Sequence, residues 1–326
     1  MNNTTVQSNP FEFPSQISIL VIAFLGVIAN GILLVVLLWD PLKCFRRPSM
    51  YFVISLAFSD FFTGIASCLF AVQDHVTSEY FGLILQSAIF CSIENSFITI
   101  LLMSIERLIV IVYPMKAISI ITSRRIFISI GVTWFFSILL GAAVSFPPGA
   151  IFNDYVKFGI LIECFLIILI MLGIYIRMIF LLKNSSNVFR ENGFIRHSSC
   201  DARSRRSIDR YHRSLNTVVF YLALVLIITV LPHLILGQVY LGYKFFHPNH
   251  PMPLSLQYAP YVTFPIELLN FVLNSVIYAY RLPQFRASLF HCCKKKSGNQ
   301  RQETALRRIL FHNNVPNGNH TVDDDV

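Results

Sequence analysis

A chain of 326 residues that is 55% hydrophobic and 13% charged, with a mean hydropathy of +0.61, excludes both an ordinary soluble domain and a disordered chain. Its formal net charge of +9 does not indicate nucleic-acid binding, because the basic residues stand in loops beside long apolar runs and not on a polar face with interleaved aromatics. What remains is an all-α membrane protein, since the runs are too long and too continuous for the alternating strands of a membrane barrel.

Seven runs reach the roughly 20 apolar residues that a helix needs to cross a hydrocarbon core. They cover about 17–38, 51–72, 81–112, 126–146, 158–182, 215–240 and 258–280. The expected architecture is a seven-transmembrane helix bundle over 17–282, with a short amphipathic eighth helix over 283–293. Residues 1–16 precede the bundle, and a disordered cytoplasmic tail is expected over 294–326. Lys43, Arg46 and Arg47 lie in the first loop and Lys116, Arg124 and Arg125 in the third. Eight basic residues lie between Lys183 and Arg213 and eight more between Arg281 and Arg308, whereas the opposite side holds only Lys157 and Lys244. Basic loops stay in the cytoplasm, so the N-terminus is expected outside and the C-terminus inside. The same residues can touch anionic lipid headgroups.

The first sixteen residues carry no signal-peptide pattern, so the first span is expected to act as its own anchor. Asn2 and Asn3 each begin a glycosylation triplet on the outer side. The first span then carries Asn30, read equally as a bond between helices or as part of a site. The second carries Asp60 deep in an apolar run, where a carboxylate needs a cation, a proton or several donors. In the third, longer than a bilayer requires, Ser96 and Arg107 share a face and Glu94 points nearly the other way. It closes with Glu106-Arg107-Leu108, an acid and a base at the end of a membrane-length run.

The fourth span holds Trp134 and ends at Pro147-Pro148; the fifth carries Glu163, Cys164 and Tyr175 and no proline. The stretch 183–213 is polar, basic and serine-rich, and its middle is given no secondary structure. In the sixth span Pro232 precedes His233, and the proline is a pivot or a static bend. The seventh places Glu267, Asn270, Asn274 and Tyr278 on one stripe, which must face protein or a wet cavity. Cys292 and Cys293 follow at a plausible palmitoylation position, and no cysteine falls in an outer loop, so no outer disulfide is expected.

Asn30, Leu56-Ala57-Phe58-Ser59-Asp60, Glu106-Arg107-Leu108, Trp134, Pro232 and Asn274-Ser275-Val276-Ile277-Tyr278, in this order on seven spans, resemble a rhodopsin-like (class A) G-protein-coupled receptor. The resemblance covers about 17–293. Departures stand at Leu108, at Ser275 in place of the usual proline, at Gly82 in place of a disulfide cysteine, and at Val230 in place of a tryptophan. The missing cysteine, the missing fifth-span proline and the short link before that span look melanocortin-like, with adenosine and cannabinoid receptors as cousins.

The resemblance implies a plasma-membrane receptor, not an enzyme, that binds an extracellular small-molecule or peptide ligand and activates a heterotrimeric G protein as the sixth span swings outward; arrestin would share that face. It assigns Glu106, Arg107, Tyr175, His212, Pro232, Asn274 and Tyr278 to coupling, with His212 where an acid often locks the arginine. Asn30, Asp60, Ser96, Asn270 and Asn274 would hold a sodium ion, with Asp60 as the charged ligand; no other cofactor is expected. Glu94, Glu163, His233 and Glu267 would line the ligand cavity and receive a cationic or amine-bearing ligand, or Glu94 and Glu163 would be neutral and hydrogen-bonded to each other or to backbone. An opsin needs a seventh-span lysine for its retinal, and none lies there. The alternative, an ion-coupled transporter, lacks paired, broken repeats.

Overall fold

The computed structural model describes residues 10–40, 45, 47–72, 79–145, 150–191, 199–282 and 285–289; side chains at 79, 114, 150–151, 182–191 and 199–216 lie outside that description. The helices are α1 (Glu12–Trp39), α2 (Met50–Ala71), α3 (Glu79–Val112), α4 (Pro114–Ile120), α5 (Ser123–Ser145), α6 (Ala150–Glu191), α7 (Ser199–Phe246) and α8 (Leu254–Arg281). Among the described residues seven of these are long and apolar enough to cross a membrane, and they coincide with the seven runs: α1 to α3 and α5 to α8. The eighth-helix expectation is met by a single helical turn over 285–289, with Phe285 buried and Arg286 exposed.

Local chemistry sets the ends. Asp40 closes α1 in the left-handed region, φ 41°, its amide bonded to the Val36 carbonyl. Tyr113 precedes a proline and so leaves the helical region, which separates α3 from α4, and Pro114 then starts α4 where its missing N–H costs nothing. Of the stretch 183–213, both ends are helical, since α6 runs on to Glu191 and α7 begins at Ser199, and residues 192–198 in its middle lie outside the described residues. A polar segment without an apolar stripe gives no periodic signal, yet a helix already anchored in the bundle extends without a new nucleus.

The bundle sets polar groups within a mostly apolar core and turns apolar side chains outward as well. Phe24, Val35, Phe135 and Phe180 are exposed on outward faces, while Asn30, Asp60, Asn95, Ser96 and Asn270 are fully buried. Such a chain is held together by close packing and internal hydrogen bonds, because its outer surface loses nothing to lipid. α3 is the central strut, against α2, α5, α6 and α7; α8 closes the ring against α1 and α7. Among the described glycines the least room is at Gly141 of α5, where an added Cβ would stand 2.6 Å from the Ser87 carbonyl oxygen and 2.8 Å from the Cys91 Cβ. Gly141→Ala is therefore expected to destabilise by about 1–3 kcal/mol, read as a lower unfolding midpoint of the purified protein, whereas Gly131→Ala, with nothing within 4 Å of its Cβ, should not.

Candidate functional site

Three polar levels are stacked along the bundle axis. The first is a cavity of about 360 Å³ between α1, α2, α3, α6, α7 and α8. Its wall is mostly apolar, with Phe70, Ile89, Phe90, Ile93, Leu161 and Phe264, and its polar groups include Glu94, Glu267 and His233. Glu94 is buried by α6: the Cys164 thiol donates to one carboxyl oxygen at 3.4 Å, while the other, Oε1, has no partner among the described residues. Glu267, also buried, faces His233 with 3.5 Å between Oε2 and Nε2. The other imidazole nitrogen, Nδ1, is 2.9 Å from the Thr263 hydroxyl, which itself donates to the Ala259 carbonyl.

Glu163 is a correction. The inward stripe of α6 runs through Ile160, Cys164, Ile167, Met171, Tyr175 and Met178, and Glu163 is turned outward and exposed beside Ile162. It does not line the cavity, and the Glu94 carboxyl is bonded to Cys164 and not to Glu163.

The second level surrounds Asp60. Ser96 of α3 donates to Oδ1 at 3.0 Å and Asn274 of α8 to Oδ2 at 2.9 Å. The Asn274 side-chain oxygen and both polar atoms of Asn270 have no hydrogen-bond partner among the described residues, though both side chains are buried. Asn30 does not bond Asp60. It ties α1 to α8 by donating to the Phe271 carbonyl at 3.1 Å and accepting from Ser275 at 2.5 Å. The serine that replaces the usual proline thus supplies a hydroxyl to the belt. A carboxylate with the Ser96 hydroxyl and the Asn274 amide on it, and with the Asn274 side-chain oxygen unpartnered, offers the oxygen ligands that a hard cation takes. Among the described residues no three His, Cys, Asp or Glu side chains gather for a transition metal.

The third level is Arg107, 2% exposed, beside Glu106, 5% exposed. A single guanidinium nitrogen, Nη2, donates both to Glu106 at 2.8 Å and to the Ser49 hydroxyl at 2.9 Å, and Ser49 donates in turn to Glu106. Nη1 has no partner among the described residues. One turn deeper, the Tyr175 hydroxyl lies 3.1 Å from Ser104 and donates to the Val219 carbonyl at 2.8 Å, joining α3, α6 and α7. Tyr278 rests on the Met103 sulfur at 3.9 Å. Neither tyrosine hydroxyl hydrogen-bonds to Arg107 in this arrangement. The His212 side chain, Asn2, Asn3, Cys292 and Cys293 lie outside the described residues.

Sequence reasoning passed over Ser49, Thr263 and the bond from Cys164 to Glu94. Ser49 left the one usable signal, a hydroxyl at the start of a span on the same side as Arg107. Trp134, noted as a landmark, donates to Ser55 at 3.1 Å and fastens α5 to α2.

A family model described as a seven-transmembrane receptor (rhodopsin family) matches residues 29–278. The Gq-coupled rhodopsin of Mizuhopecten yessoensis is 24% identical over 320 residues, covering 85% of this chain and 60% of that protein. Melanopsin-B of Gadus morhua is 30% identical over 151 residues, 45% of this chain and 24% of that protein. Melanopsin of Felis catus is 28% identical over 151 residues, 45% of this chain and 30% of that protein. The matches thus span less than two thirds of each curated relative. The crystal structure of squid rhodopsin superposes with a TM-score of 0.72, over 97% of this chain and 99% of that one, at 18% identity, a likeness of fold alone. None of these matches is to a transporter, and none of the three relatives is a melanocortin, adenosine or cannabinoid receptor.

Proposed function

We propose a ligand-operated signalling role for this chain, which belongs to the rhodopsin family of seven-transmembrane receptors: an extracellular ligand enters the outer cavity, and a heterotrimeric G protein engages the inner end. The observation that carries this reading is the stacking of three polar levels in one bundle, a cavity, a buried carboxylate belt and a buried guanidinium. The basic loops support an N-terminus outside and a C-terminus in the cytoplasm, in the plasma membrane. Arrestin would use the same inner face. Glycans at Asn2 and Asn3 and thioesters at Cys292 and Cys293 belong to the same proposal.

A ligand shifts the bundle only by its differential affinity for two arrangements. The cavity touches α3, α6, α7 and α8 at once, and His233 is next to Pro232, the residue at which α7 lacks a backbone donor. A ligand that draws α7 inward at the outer end pivots its inner half away from α3, and Arg107 is then free to exchange Glu106 and Ser49 for a carbonyl or helix end of the G protein. Tyr175 loses its bond to Val219 in that motion and becomes available to Arg107, with Tyr278 beside it. A sodium ion among Asp60, Ser96, Asn270 and Asn274 would supply positive charge to the belt and favour the resting arrangement.

Retinal does not fit as a covalent cofactor. Opsins bond it to a seventh-span lysine, and α8 carries no lysine from Leu254 to Arg281. The cavity volume is near the lower end of the roughly 300–1,000 Å³ typical of small-molecule sites, which favours a small ligand over a whole peptide.

The hydrogen bonds of Arg107 run to Ser49, at the cap of α2, and to its own neighbour Glu106, and one nitrogen carries both. A monodentate hold is weaker than a forked one, so basal signalling should be high. Cells expressing the chain are expected to show G-protein activation above that of cells lacking it, across reporters for several second messengers. Equality at matched surface expression would overturn the weak hold, and no response to any stimulus would overturn the receptor reading.

A further inference from the structure

His233 stands between two partners: Nδ1 lies 2.9 Å from the Thr263 hydroxyl, which also reaches the Ala259 carbonyl, and Nε2 lies 3.5 Å from Glu267 Oε2. The Glu267 carboxyl thus already faces an imidazole nitrogen of this chain.

Glu94, by contrast, is the acid in the cavity whose carboxyl has no nitrogen donor on it among the described residues. It is 2% exposed, its Oε1 has no partner among the described residues, and the thiol on Oε2 is a weak donor. Among the described residues no lysine or arginine lines the cavity. Lys244, at the outer end of α7, is paired with Asp154 at 2.5 Å. The surrounding wall is aromatic and aliphatic, so water is a poor substitute partner.

We propose that the cavity binds a small, largely apolar amine whose ammonium is held by Glu94, while Glu267 holds His233 and not the ligand. The proposal rests on the cavity being the ligand site. Glu94 is on α3, and the apolar body of the amine lies against Ile93, Leu161 and Phe264 on α3, α6 and α8.

The test uses the purified full-length chain in lipid nanodiscs, without G protein, and reads heats of binding for two probe pairs, 2-phenylethylamine with 2-phenylethanol and hexylamine with hexanol. The amines are expected to bind more tightly than the matched alcohols. Glu94→Gln and, as a second uncharged variant of similar length, Glu94→Met should erase that preference, weakening the amines on the order of 30-fold or more and leaving the alcohols unchanged. Glu267→Gln should leave the preference in place. A preference that survives both Glu94 variants, or that disappears with Glu267→Gln, overturns the assignment. Equal binding of amine and alcohol to the unmodified chain overturns the amine and keeps the cavity. No heat from any probe overturns both, and neither result depends on whether the chain signals.

Discussion

Arg107→Leu is expected to abolish G-protein activation, basal and ligand-driven, while surface expression and heats of binding in the cavity stay at the level of the unmodified chain. The guanidinium is nearly fully buried, yet its Nη1 has no partner among the described residues and its Nη2 carries both bonds. Half of the fork is therefore idle at rest, and docking a G protein can occupy it without first breaking a second ion pair. Truncating one member of a buried, hydrogen-bonded charge pair at an interface costs about 2–5 kcal/mol or more, which is on the order of 30-fold or more in coupling. Arg107→Lys keeps the charge but not the planar fork, so it should fall in between. Glu106→Gln, which removes the resting acceptor's charge, should move basal activity the other way. The measurement is receptor-stimulated nucleotide exchange on purified G protein at equal receptor concentration. Exchange by Arg107→Leu at the unmodified rate would remove Arg107 from the coupling site.

The seven spans were legible because crossing a membrane is a local property: about 20 apolar residues in a row suffice, whatever their neighbours do. The belt around Asp60 was legible for a related reason. A carboxylate or amide inside an apolar run has few explanations, and Asn274 of α8 and Ser96 of α3 do reach Asp60. What local pattern does not encode is which side of an apolar helix faces lipid. Along α6 both faces are apolar, so Glu163 carried no mark of pointing outward while Cys164, one position on, points in. Contacts between distant segments were equally hidden. Ser49 meets residues 57 and 58 positions away, and no spacing rule links the start of α2 to the end of α3. The helical continuation of α6 and α7 beyond the bilayer also left no trace, because it has no apolar stripe to be periodic.

Asp60→Asn is expected to remove every dependence of the chain on sodium. In the unmodified protein, sodium that binds only the resting arrangement raises its stability by RT ln(1 + [Na⁺]/Kd), so the unfolding midpoint should climb as sodium replaces choline at constant ionic strength, and amine binding in the cavity should weaken in parallel. The fit rests on the oxygen atoms of Asp60 and Ser96 and the unpartnered side-chain oxygen of Asn274, with a second unpartnered amide, Asn270, one turn away on α8. The asparagine variant retains the volume and loses the charge, and an amide dipole does not replace a carboxylate as a ligand for a hard cation. Asp60→Leu is the harsher variant. It leaves the Ser96 hydroxyl and the Asn274 amide buried without their acceptor, at about 1–3 kcal/mol each, so its midpoint should fall in any salt. The two variants separate the roles of this side chain. Sodium dependence lost in both, with stability lost mainly in Asp60→Leu, marks a cation site built on a hydrogen-bonded scaffold. A midpoint that ignores sodium in the unmodified chain leaves Asp60 as a scaffold alone, its charge met by a proton.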